Sequence, residues 1–306
     1  MCLVRIIGNV AGPALYYLGV GVGRLNQTAN PVFRAGRVRS TSRYRLCVLK
    51  KEWLEIVEAS VKRCLDATSR RLTADFGSWM RVPFVHIVYA SQEQYRRALA
   101  WGGDSHDFSP RVSDGVFHAD IATVFIGMES AFPGVCDAIL VHELVHAAMS
   151  RWEAPRSPRC LWAAEGYADN VAYDAAMRQD VLIERYLQID QVGVIPSADE
   201  FRAMLNITSN KELSLSMRFA AEMFVRYLLT RQDPFKKRAK DFLLGVLLGY
   251  WRSETFVACC ENALGRDIRQ IEAEYRDFCE IEILRSLALK GAAMSCTAER
   301  ADEGKS

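Results

Sequence analysis

No acidic residue precedes Glu52 in this 306-residue chain, no two cysteines are spaced C-x-x-C, and only five histidines occur. Without a C-x-x-C pair, thiolate zinc ribbons and thioredoxin-type redox chemistry are excluded. The nine cysteines are an odd number and, apart from Cys259–Cys260, lie far apart, so scattered buried thiols in a reducing compartment are expected. Bulk charge is nearly absent: 39 basic against 37 acidic residues leave +2, which gives no case for nucleic-acid or membrane binding. There is no Walker loop, no G-x-S-x-G elbow, no Rossmann glycine pattern and no internal repeat.

Half of the residues are apolar and 25% are charged, which is enough for an ordered core without disulfides, in one large domain or two packed lobes. The first 51 residues stand apart. They carry Arg5, Arg24, Arg34, Arg37, Arg39, Arg43, Arg45, Lys50 and Lys51 and no acid. Positions 6–22 are apolar but broken by Gly8, Gly12, Pro13, Gly19 and Gly21, which disfavours a membrane-spanning helix. A signal peptide, an organellar transit peptide and a non-native extension all suit this composition, so residues 1–50 are set outside the fold as a targeting-like or disordered extension.

Residues 51–290 then read as one globular unit. Trp53, Ile56, Val57, Val61 and Leu65 have helical spacing, 83–90 is a β-rich run, and Ser91 with Gln94 forms a capping box for a helix through Leu99. The stretch 102–114 is loop-like, and 116–117 with 121–126 form an antiparallel pair. Beyond Pro133–Gly134 the pattern is almost wholly helical, with 217–229 and 268–284 the clearest segments. Residues 291–306 read as a flexible tail. The expected class is α+β: a small, mostly antiparallel sheet with an active-site helix, followed by helices.

Chemistry concentrates in His142-Glu143-Leu144-Val145-His146. Residues four apart share a helix face, so both imidazoles reach one ion. Glu143, beside the first histidine, is placed to take a proton from a water at that ion. A third ligand decides whether this pentapeptide is more than chance. With eighteen residues intervening after His146, beyond a loop with Pro155 and Pro158, Glu165 sits in Leu161-Trp162-Ala163-Ala164-Glu165-Gly166-Tyr167-Ala168-Asp169. A helix starting near Leu161 puts Glu165 in its first turns and Asp169 one turn on, where it can orient a ligand imidazole. Two imidazoles and a carboxylate suit one zinc ion with a fourth position open.

In this arrangement the chain resembles the gluzincin metallopeptidases, and its W-x-x-E-G-x-A-D phrase at 162–169 is most similar to the peptidase MA-like family. Later helices such as Ala263-Leu264-Gly265 and Ile271-Glu272-Ala273-Glu274-Tyr275 follow the same pattern. The resemblance implies a zincin-like fold, with His142, His146 and Glu165 binding Zn²⁺ and Glu143 acting as general base. It also implies that Asp169 partners the first histidine. Relatives often carry an oxyanion-donating tyrosine where this chain has Phe219, and Tyr227, Tyr173 and Arg218 are the open alternatives. Met149 and Trp152 exclude a metzincin third histidine, Glu129 in Gly127–Ser130 is taken as a chance match to an aminopeptidase motif, and His86 is expected in the core.

The expected function is a zinc-dependent peptidase acting on peptides or proteins, with the strand 121–126 as the edge that receives substrate. Its rivals are a zinc-binding, peptide-binding protein without activity and a hydrolase of non-peptide amides. No nucleic-acid partner and no stable membrane span are expected. The odd cysteine count leans to the cytoplasm, and the N-terminal segment keeps export or an organelle open.

Overall fold

The structure, a computed structural model, describes residues 2–91, 93, 94, 97, 115–127, 135–152, 160–176, 197–205, 215–230, 236–249 and 256–303. Most of the expected helix through Leu99, the loop 102–114, Glu129 and the loop with Pro155 and Pro158 lie outside these. The chain divides into two compact units. One comprises Met1–Ser157, Val171–Met177 and Leu244–Tyr250; the other comprises Pro158–Asn170, Arg178–Leu243 and Trp251–Ser306.

The first unit holds a sheet. Among the described residues its strands are β1 (Arg37–Ser40), β2 (Tyr44–Val48), β3 (Val85–Ala90), β4 (Gly115–His118) and β5 (Thr123–Gly127). Their spatial order is β1-β2-β3-β5-β4. The sheet is mixed, not mostly antiparallel: β2–β3 and β3–β5 pair in parallel, and β1–β2 and β4–β5 antiparallel. The parallel centre has a local cause. The long helix α3 (Leu54–Phe76) lies between β2 and β3, and a helical crossover returns the chain to the sheet in the same direction. Accordingly, β3 is buried at all six positions instead of alternating. The hairpin expected at 116–126 is present, turning through a 3-10 segment at Ala119–Ile121 and a left-handed Ala122 (φ 44°).

Residues 1–50 do not stand outside this fold. β1 and β2 lie within them, and β2 buries Tyr44, Leu46, Cys47 and Val48. The preceding helices α1 (Cys2–Ala29) and α2 (Pro31–Arg34) also engage the sheet. The Tyr16 hydroxyl donates to the Phe84 carbonyl at 2.9 Å, and Phe33 joins a core cluster with Cys47, Val88, Ala90 and Phe125. Gly19, within the apolar run, and Gly23, just beyond it, have a packing role, whereas Gly21 meets open space. A Cβ on Gly23 would lie 2.1 Å from the Ile121 carbonyl oxygen, and one on Gly19 3.0 Å from that of Ala119. They let α1 settle backbone to backbone on the 3-10 turn. No helix among the described residues is long and apolar enough to cross a membrane.

Also in this unit, α4 (Val135–Ser150) packs against α3, β4 and β5. Arg63 pairs with Asp137 at 3.2 Å, and Ser60 donates to the same carboxylate. Gly115 brings β4 close: a Cβ there would meet Ile139 of α4 at 2.3 Å. At the end of β3, Gln94 N–H donates to Ser91 Oγ and Ser91 N–H to Gln94 Oε1, the expected capping box.

The second unit is helical. It takes the first ten residues of α5 (Leu161–Ala176), then α6 (Ala198–Leu205), α7 (Leu215–Thr230), α9 (Phe256–Leu264) and α10 (Ile268–Glu303); α8 spans Lys236–Leu247. The rings of Trp162, Phe201, Phe224, Tyr227 and Tyr275 form its aromatic centre, with neighbouring centroids 4.9–6.2 Å apart. Tyr275 donates to the Ala220 carbonyl at 2.8 Å, tying α10 to α7. Backbone helix in α10 continues past Leu289 to Glu303, where the polar composition suggested a tail. Cys47, Cys64, Cys160 and Cys279 are free thiols. Burial pushes the Cys47 thiol up to about 11 and the Cys64 thiol to about 12, which makes them inert packing groups.

Candidate metal centre

Leu140, Val141, Leu144, Val145, Ala147 and Ala148 are all fully buried, so α4 is an inner helix with little polar surface. His142 and His146 share one face of it, half-buried, as spacing by four requires. Their Nε2 atoms lie 3.0 Å apart and their ring centroids 4.7 Å. A ligand atom from each histidine and one from the Glu165 carboxylate all lie within 4.8 Å of one another.

This donor set fits a divalent first-row metal ion. Two metal–nitrogen bonds of about 2.0–2.1 Å at the tetrahedral angle put their nitrogens about 3.3 Å apart, close to the spacing of the histidine pair. Two imidazoles and one carboxylate are borderline ligands that such ions prefer, and three protein donors leave further coordination positions open. Beside them Glu143 is only 7% exposed, so this acid is held within the protein next to His142.

Glu165 is positioned by the crossing of α5 over α7. A Cβ on Gly166 would lie 2.6 Å from the Ala221 carbonyl carbon and oxygen, so these helices meet backbone to backbone at the residue after Glu165. The buried Trp162 ring packs on Phe224 at 5.3 Å one turn earlier. On α7, Arg218 then reaches both acids of α5: its Nη2 is 3.2 Å from Glu165 Oε2 and 3.4–3.5 Å from the Asp169 carboxylate oxygens. One guanidinium thus spans two carboxylates a helical turn apart, a contact that sequence spacing does not reveal.

The sequence-predicted residues are therefore distributed as follows. His142, His146 and Glu165 converge, and Glu143 adjoins them in the chain. Asp169 is buried and faces Arg218. Of the residues considered in place of the tyrosine at Phe219, Arg218 reaches the Glu165 carboxylate. The Tyr227 hydroxyl donates instead to Glu274 at 2.8 Å, Tyr173 is buried, and Phe219 is itself buried. His86 is the expected core histidine: it is fully buried, with Nε2 donating to the Val20 carbonyl at 2.8 Å. His118 stacks edge-on against Phe125 within the hairpin. Among the described residues the strand β5 lies between β3 and β4, and the outermost strands are β1 and β4. No protein-family profile matches the chain, and no curated protein matches it.

Proposed function

We propose that this protein is a zinc-dependent peptidase of gluzincin type, with a zincin-like fold. The observation that carries the reading is the convergence of His142, His146 and Glu165 beside the buried acid Glu143. In this reading the two Nε2 atoms and the Glu165 carboxylate hold one Zn²⁺. Bound there, zinc supplies a Lewis acid that polarises a peptide carbonyl and lowers the pKa of water to about 7. Glu143 accepts a proton from the attacking water as its oxygen bonds to the carbonyl carbon. The same carboxyl group returns that proton to the amine nitrogen as the C–N bond breaks. Arg218 fixes the Glu165 carboxylate, and β4, the edge strand packed against α4, offers its backbone to an extended peptide.

A second reading has one observation in its favour. The position where relatives carry an oxyanion-donating tyrosine is the buried Phe219, and losing such a donor costs about 10²–10³ in turnover. The protein would then bind zinc and peptide without cutting. Cleavage of a diverse peptide pool, followed by mass spectrometry with zinc-loaded wild type beside Glu143→Gln, separates the two. We expect products from wild type alone and about one zinc per chain in both proteins. If neither cuts while both retain zinc, the binding reading replaces the enzymatic one.

A further inference from the structure

Over its residues 13–29 the helix α1 buries one face and, among the described residues, leaves the other exposed. Tyr16, Gly19 and Gly23 face the protein, whereas Leu15, Leu18, Val22 and Leu25 are between 44% and 69% exposed. At 100° per residue these four, with Ala14 and Ala29, fall within one stripe about 100° wide along the helix. Isolated exposed leucines need no explanation, but four in register on one helix form a continuous apolar strip.

The surroundings of the strip say what covers it. Along one flank lie Tyr17, Arg24 and Thr28. Arg34 reaches that flank by donating from Nε to the Thr28 carbonyl at 3.0 Å, and the Arg151 guanidinium lies over the Tyr17 ring at 5.6 Å. Arg151 also covers Trp152 at 4.7 Å, and Trp152 packs edge-on against the exposed Trp79 at 5.4 Å. An apolar strip bordered by arginines and by exposed Tyr and Trp rings has the chemistry of a lipid headgroup boundary, where such rings sit half-immersed. The first 51 residues contain no acid. Asp120, exposed on the 3-10 turn against which α1 packs, meets the helix through its backbone at Gly19, which lies off the strip. A second copy of this chain would bring the same arginines face to face across the strip, whereas an anionic bilayer neutralises them.

We propose that the outer face of α1, with Tyr17, Trp79, Arg24 and Arg34, docks the protein in the plane of an anionic membrane surface without crossing it. The full-length chain should float with vesicles of 70% phosphatidylcholine and 30% phosphatidylserine. Its partition should be at least about tenfold weaker on phosphatidylcholine alone and should fall between 0.1 and 0.5 M NaCl. The double substitution Leu18→Ser and Leu25→Ser removes solvent-facing side chains only and should lower partition by a further factor of about ten or more. Circular dichroism and thermal melting confirm its fold, and if it fails to fold, the single change Arg24→Glu decides by the same assay. Absence of binding to phosphatidylserine vesicles overturns the proposal, as does binding that these changes leave intact. A dimer in sedimentation that Leu18→Ser with Leu25→Ser dissociates, without vesicle binding, assigns the strip to a second copy instead.

Discussion

Arg218 lies 3.2 Å from a carboxylate that also belongs to the candidate metal site, so it holds Glu165 in place at the same time as it offsets the charge of Asp169. Partners that orient a metal ligand typically affect affinity by 10–100-fold. In the proposed zinc site, Arg218→Ala should therefore weaken zinc binding by about that factor in competition with a chelator, and Arg218→Lys, which keeps the charge but not the fork, should fall between. His86 makes a different prediction. Burial lowers its pKa from the ordinary 6.5; the bond to Val20 opposes this, and Arg45 and Arg24 reinforce it. A buried neutral histidine contributes its stability fully above 6.5. Below that value the unfolded chain binds the proton first, so stability falls as pH drops toward the depressed folded-state pKa, by up to about 1.4 kcal/mol per pH unit. Urea unfolding at pH 7.5, 6.5 and 5.5 should show this slope, and His86→Gln, which keeps an N–H for Val20, should flatten it relative to wild type.

At the scale of elements, the close crossing of α5 over α7 depends on Gly166. Alanine in a helix interior ordinarily gains about 0.8–1.0 kcal/mol over glycine. Here its Cβ would sit 2.6 Å from the Ala221 backbone, which has no rotamer to yield, and overpacking costs about 1–3 kcal/mol. The clash outweighs the propensity, so Gly166→Ala should lower the melting temperature and, by shifting Glu165, weaken zinc binding as well. A gain in stability would refute the crossing. The same elements show what the sequence made legible. The His142–His146 pair and the helix carrying Glu165 follow from local spacing, because a period of four and an apolar flank are written within a few residues. The hairpin 115–127 and the Ser91–Gln94 cap are equally local. The role of Arg218 could not be read this way, because its contacts join positions 49 and 53 residues apart. The parallel centre of the sheet was hidden for another reason. Its strand β2 lies in a basic, acid-free stretch whose composition suggested an extension, although Tyr44, Leu46 and Val48 alternate as a strand does.

For the molecule as a whole, the N-terminal segment is where composition and structure diverge most. Gly19 and Gly23 let α1 lie against the sheet with one face, and the lack of acid leaves a cationic, apolar face outward. Deleting residues 1–30 tests which property dominates the fold. The deletion would strip the donor from the Phe84 carbonyl and the acceptor from His86, and expose the groove that receives Gly19 and Gly23. Each buried polar group left without its partner costs about 1–3 kcal/mol, and the buried side chain of Tyr16 adds about 2 more. Against a typical domain stability of about 5–15 kcal/mol, such a loss should move the urea midpoint far down or abolish a cooperative transition. An unchanged midpoint would mean that α1 is a dispensable arm and that the sheet stands without it. A lowered one would mean that any processing of this segment dismantles the unit that carries His142 and His146, so the helix that meets the membrane surface would also be a structural wall of the domain.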